Sequence, residues 1–475
     1  MANRVRMEIT HDTPPPEISE TPPKPGRAGP TGWWRALVCL IFLGSFGVAL
    51  MRMGNRQRER LDADPDQEEL RSLQALWDTK PQHERPWQPA TNGWYQARAP
   101  HATWNGVPPL WPWLMSFGGP AHGDDSAGLT LMELQEAGSP LPAWVEELRV
   151  KVWHTNQWLT LGFLGLLAMG VGRQWSLLGT VNLMLVLGWV VLWPIEARAT
   201  PETLSMILLL LTSLCAVRLL QKNTAWRHVH FGLLAGLTYL TDLAIIPLLA
   251  AWLLVSAARF LRGALDKSPE GAWTCRGHFI GLLAMVFAFV AVAAPNLFFH
   301  RVHDGKALSP ALRHYEKSVP QSTEELRSRT LESLQTIVKS NSMATSAAMQ
   351  PSRSLILGCL LGMLLIAVAL AAGSGAATFQ KGLSNFSESR SVFYFILLTA
   401  ILYAATATPG SVLWQVFGLC AVVLTMGAEA LFGWAARRGE GRGVYRSLFT
   451  GLQLVLTVHL MICMFQFFRE LPTHS

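Results

Sequence analysis

Five acids, Asp62, Asp64, Asp66, Glu68 and Glu69 in the run LDADPDQEEL, follow the first apolar segment of the chain at a short distance. A carboxylate set just outside a bilayer, at the mouth of a helix bundle, is where a base would take a proton from an attacking hydroxyl or amine. The same run also reads as the charged start of a helix, with Asp64 or Asp66 as its cap before Leu70, Leu73 and Leu76. The residues alone leave both readings open.

Two further polar groups could share that chemistry. Glu196, Arg198 and Glu202 lie in a short stretch between apolar segments, where they would either help line a cavity or sit as ordinary solvated loop charges. After another apolar segment comes NLFFHRVHDGKALSPALRHYEKS, which carries His300, Arg301, His303, Lys306, Arg313 and Lys317. Phosphate is best held by charge-assisted donors, an arginine fork above all, so Arg301 leads this set. Snorkelling against ordinary anionic lipid is the alternative. Asp242 stands between two short apolar segments and is a functional candidate by its depth, or else a turn residue. Glu429, near the end of an apolar segment, suits packing or snorkelling better than catalysis. His122, Asp124 and Asp125 lack a second ligand group at a defined spacing, which makes a weak metal signal.

The elements that must position these residues are membrane helices. Half of the 475 residues are hydrophobic and 15% are charged, and the mean hydropathy is +0.25. The apolar residues gather into segments of about 20, enough to cross about 30 Å of hydrocarbon. Such segments run near 34–51, 157–172, 176–194, 203–220, 229–242, 244–259, 277–298, 354–374, 391–407, 411–434 and 447–468. The expectation is an all-α polytopic membrane protein with about eleven spans. Many of the 19 tryptophans, Trp33, Trp34, Trp153, Trp158 and Trp434 among them, fall at segment edges, as an aromatic belt requires. The six cysteines show no disulfide or zinc spacing; five lie in apolar segments and Cys275 in an expected connecting loop.

Short-loop arginines and lysines fix the expected orientation. Arg218, Lys222 and Arg227, then Arg259, Arg262, Lys267 and Arg276, then Lys381 and Arg390, then Arg437, Arg438, Arg442 and Arg446 alternate with turns nearly free of basic charge. That alternation sets the N-terminus in the cytoplasm and the long loops 52–155 and 300–352 outside. Arg52, Arg56, Arg58 and Arg60 oppose it, but long translocated loops escape the rule. Residues 1–32, rich in proline, are expected to form a disordered cytoplasmic tail ahead of a single membrane domain over 33–475. The net charge of +7 is then topological and does not point to nucleic acid. Within the first long loop, Pro108 and Pro109 precede an apolar stretch, Leu110 to Phe117, too short to span, which is expected to lie as an interfacial helix. A second short helix is expected over 142–154.

In that order and placement the chain resembles the GT-C glycosyltransferases, the branch of protein O-mannosyltransferases and the lipid A aminoarabinose transferase. ADPDQEEL stands where that family has its acidic motif, NGVPPLWPWL where it has a proline element, EARATPETLSMILLLL at its short outer loop, and HFGLLAGLTYLTDLAIIPLL at its Gly-Leu-rich hairpin. The likeness covers roughly residues 34–300. The chain departs from the pattern at Gln67, Val107 and Asp242, where the family has an acid and two lysines.

The resemblance implies transfer of one sugar, with inversion, from a polyprenyl phosphate donor to a glycan, lipid or protein acceptor on the outer face of a bacterial inner membrane. Asp66 would be the catalytic base. Arg301, with His300, His303 and Lys306, would hold the donor phosphate, and Glu196, Arg198 and Glu202 would line the same cavity. A divalent cation stays an open cofactor with no ligand set assigned. A non-catalytic scaffold descended from such an enzyme, kept in play by the three departures, and a lipid or solute transporter are the rival readings. The transporter predicts charges near the midplane and symmetrically broken helices, whereas the charges here gather at the outer rim and no internal repeat is found.

Overall fold

The computed structural model describes mainly residues 37–49, 69–73, 110–116, 131–141, 143–171, 176–192, 200–265, 269–303, 322–331, 353–372, 394–403, 418–432 and 443–470, isolated positions within these ranges excepted. Among them there is no strand. The helices are α1 (Leu37–Ala49), α2 (Leu110–Ser116), α3 (Leu131–Glu136), α4 (Ala143–Val171), α5 (Leu177–Leu192), α6 (Glu202–Gln221), α7 (Ala225–Tyr239), α8 (Ile245–Leu265), α9 (Pro269–His303), α10 (Arg353–Ala372), α11 (Gly418–Glu429) and α12 (Gly443–Glu470). Helical residues fall inside every apolar segment expected from the sequence. Among the described residues, four stretches are long and apolar enough to cross a membrane: Glu202–Leu220, Ile245–Leu265, Arg276–Ala294 and Gly443–Gln466.

Three expectations need correction. The short helix over 142–154 and the span over 157–172 are one helix, α4, of 29 residues. The stretch from Lys151 to Gln157 between them holds no proline or glycine, and the helix continues through it. Cys275 lies inside α9, not in a loop, because Pro269 opens that helix at its first position, where a missing N–H costs nothing. The same helix runs on to His303, beyond the expected start of the second long loop.

A central cluster of buried aliphatic and aromatic side chains joins α1 and α4 through α12. Small residues set its closest approaches. A Cβ on Gly188, in the π-helical last turns of α5 (Val186–Leu192), would lie 2.4 Å from the Phe46 ring of α1. Between α7 and α9 the spacing is closer still, since a Cβ on Gly232 would meet the Met285 carbonyl oxygen at 2.3 Å and one on Gly236 would meet Val292 Cβ at 2.9 Å. This glycine pair at i and i+4 lets two backbones touch, the usual device where lipid removes any hydrophobic drive for helices to associate. The pairing 232 with 285 and 236 with 289–292 also shows that α7 and α9 run parallel.

Polar side chains join α5, α11 and α12 at one end of the bundle. Ser176, the N-cap of α5, accepts from the Gly179 N–H at 3.0 Å and donates to Glu429 at 3.2 Å. Gln453 donates to both Glu429 and Ser176, while Asn182 donates to the Gln453 carbonyl at 2.9 Å and accepts from Thr457 at 2.8 Å. A carboxyl buried among uncharged donors gains from hydrogen bonds and loses nothing if its charge is removed. Glu429→Gln is therefore expected to leave the thermal unfolding of the purified protein within about 1 kcal/mol of the parent, whereas Glu429→Ala loses about 1–3 kcal/mol by removing the acceptor of the Ser176 hydroxyl and one of the two acceptors of Gln453. Equal losses from the two variants would refute this account.

Candidate functional site

The opposite end of the bundle carries a second, smaller core built largely from the first long loop. Leu70, Leu73, Trp111, Met115 and Leu131 pack against Trp144, Val145, Leu148 and Val152 of α4 and against Leu204 of α6. The first turns of α4, at about 1.5 Å rise per residue, thus serve as a mast for the loop. Exposed apolar residues such as Trp158 and Leu166, 66% and 63% exposed, begin further along it. The apolar face of α2, expected at a membrane interface, is turned against protein: Trp111 is fully buried.

Three tethers fix this layer. Arg149 Nε and Nη2 donate to the two carboxylate oxygens of Glu69 at 2.7 and 3.0 Å, with both residues buried. Lys151 Nζ donates to the Met115 carbonyl at 2.8 Å and so pins the end of α2. Burial lowers the Lys151 ammonium below its ordinary range, partly offset by nearby Glu147. At the other end of α2, the Leu110 N–H donates to the Leu240 carbonyl at 2.9 Å, which seats the helix on the turn between α7 and α8. Asp242 lies in that turn. Its N–H donates to the Thr238 carbonyl at 2.7 Å and its carboxylate accepts from Ser205 of α6 at 2.7 Å, so it is a turn residue that ties α6 to the α7–α8 connection.

Of the residues expected to do chemistry, Glu69 and Glu202 are described with their side chains. Glu69 is buried in its ion pair, so this member of the acidic run is structural. Glu202 opens α6 on the same end of the bundle and is half-buried there. His300, Arg301 and His303 lie in the last turn and a half of α9, where the backbone alone is described. Because α7 and α9 run parallel, that turn ends roughly 10 Å past the level of Leu240, at the loop-bearing end. Asp66, Glu196, Arg198 and Lys306 lie outside the described residues, as do His122, Asp124 and Asp125. Among the described residues no group of three His, Cys, Asp or Glu side chains converges as a metal would require.

A feature that the sequence did not announce is a set of buried, uncharged hydrogen-bonding groups without partners among the described residues. Among them are Gln157 Nε2 and Thr160 Oγ1 on α4, Thr200 Oγ1 just before α6 and Thr203 Oγ1 in its first turn, and the indole N–H groups of Trp111 and Trp153. Each orphaned group costs about 1–3 kcal/mol, so a run of them needs an explanation. Uncharged donors and hydroxyls are the groups that hydrogen-bond a ligand of many hydroxyls. The one signal in the sequence was the density of Gln, Thr and Trp in HTNQWLT and ATPET, a pattern without a period or motif.

Comparison with protein-family models, with curated proteins and with solved structures finds no match to this chain.

Proposed function

We propose that this chain is an integral membrane glycosyltransferase of the GT-C type. In this reading about eleven helices cross a bacterial inner membrane with the loop-bearing end outside. The observation that supports it best is convergence at one end of the bundle. Glu69, three positions after Asp66, the start of α6 with Glu202, the Asp242 turn and the last turns of α9 with the backbone of His300 and Arg301 are all at that end.

The reaction follows from what each group can supply. Asp66 takes the proton from an acceptor hydroxyl or amine as its oxygen or nitrogen attacks the anomeric carbon. The bond from that carbon to the phosphate oxygen breaks with inversion, and the lipid phosphate leaves with the electron pair. A phosphate is a weak base and needs no acid, only positive charge, which Arg301 would provide with His300, His303 and Lys306 beside it. Glu196, Arg198 and Glu202, with the uncharged groups of α4 and α6, would hold the sugar in line with its acceptor.

The test is Asp66→Asn in the membrane-embedded protein, assayed with a labelled polyprenyl phosphate sugar. Transfer is expected to fall by a factor on the order of 10²–10⁴ while membrane expression is unchanged. Retained transfer removes Asp66 from the role, and absence of transfer by the parent chain with every donor tried favours a scaffold.

A further inference from the structure

The end of the bundle remote from the loops gathers arginines from four helices. Arg227 of α7 donates to the Arg218 carbonyl at 2.7 Å, and Arg259 of α8 donates to the Leu220 carbonyl at 2.7 Å. Two guanidinium groups are therefore held at the C-terminal end of α6, where unpaired carbonyls attract positive charge. Asn223, in the α6–α7 turn, lies 3.3 Å from His278 Nδ1, which brings the first part of α9 to the same place. Arg218, Arg262 and Arg276, all exposed, lie within one helical turn of these contacts on α6, α8 and α9. From Thr203 to Leu265 the sequence holds one acid, Asp242, which sits at the opposite end, and Asp266 and Glu270 are the two acids between Arg262 and Arg276.

Directly beside the basic group the surface is apolar. Trp226 is 68% exposed, Leu261 60%, Leu265 82% and Phe279 55%. A cluster of arginines alone would suit any anion, and a soluble polyanion such as nucleic acid would need a polar surround. A cationic head joined to an apolar wall matches a molecule with an anionic head and hydrocarbon chains.

We propose that this end of the bundle binds the headgroup of an anionic phospholipid. Its phosphate lies among Arg218, Arg262 and Arg276 around the two arginines fixed on α6, and its acyl chains lie along the exposed faces of α8 and α9. Arginine suits this role better than lysine because its planar fork meets two phosphate oxygens at once.

The experiment measures lipid retained by the full-length protein after exchange from nanodiscs of phosphatidylcholine mixed with phosphatidylglycerol, read by native mass spectrometry. The parent is expected to keep phosphatidylglycerol selectively, and each of Arg218→Gln, Arg262→Gln and Arg276→Gln is expected to lower that selectivity by about fivefold. Arg262 and Arg276 lie on the surface, so their variants are expected to fold as the parent does, with helical content by circular dichroism as the check. Equal retention of the two lipids by the parent, or unchanged selectivity in the triple variant, overturns the proposal. Inorganic phosphate is added as a separate arm: its failure to displace the lipid supports a headgroup site, and full displacement overturns it in favour of a free-anion site.

Discussion

Gly232→Ala is expected to destabilise the protein by about 1–3 kcal/mol, although alanine is the better helix former. The added methyl would sit 2.3 Å from the Met285 carbonyl oxygen and 3.1 Å from its carbon, which are backbone atoms that no rotamer change can move. The helices α7 and α9 would have to separate, and the whole of that contact would loosen, including the edge-to-face contact of Tyr239 with Phe289 at 5.7 Å. Gly236→Ala meets Val292 Cβ at 2.9 Å and should cost less, since the overlap to be relieved is smaller. Gly358 in α10 supplies the control: nothing lies within 4 Å of its added Cβ. There the exchange to alanine is expected to be neutral or to stabilise by about 0.5–1 kcal/mol through helix propensity. Thermal unfolding of the three variants in one detergent measures the order, and a Gly232→Ala as stable as Gly358→Ala would show that the two helices do not pack through their glycines.

How far the sequence could be read follows from which forces leave a pattern in it. Burial in hydrocarbon needs long apolar runs, so the segments holding α5, α6, α8, α10 and α12 were legible within a few residues. Where helices begin outside the hydrocarbon the signal fails. α4 and α9 extend through polar residues, and only the absence or placement of proline would have shown it. The turn role of Asp242 was one of its two readings, because a polar residue between short apolar runs marks a reversal. Its bond to Ser205, 37 positions away, left no local trace. The acidic run was legible as a candidate base or a helix start, but not as the source of a buried ion pair. Nothing in DPDQEEL tells that Glu69 turns inward to Arg149, 80 residues on, because ion-pair partners in a tertiary layer have no characteristic spacing. The unpartnered Gln157, Thr160 and Thr203 were invisible for the same reason: each is unremarkable in its own helix, and only the packing of α4 on α6 buries them.

That inward pair sets up the other large effect. Arg149→Met leaves the Glu69 carboxylate, with no exposed surface, inside a layer of leucine and tryptophan. Removing one partner of a buried ion pair costs about 3–5 kcal/mol, because the remaining charge must be neutralised or dragged to water. The loop layer is expected to undock from α4, which limited proteolysis would register as faster cleavage after residue 52. Glu69→Gln is expected to cost less, since an amide oxygen still accepts from the guanidinium and no isolated anion remains. The decisive variant is the double one. Glu69→Leu with Arg149→Met replaces two desolvated charges by apolar groups of similar length, and such exchanges are commonly neutral or stabilising. If docking of this layer positions the acidic run for transfer, protease resistance and transfer activity fall together in Arg149→Met and return together in the double variant. Recovery of resistance without activity would mean that the charge pair itself serves the chemistry. An Arg149→Met protein as stable as the parent would mean that Glu69 is not buried against α4 at all.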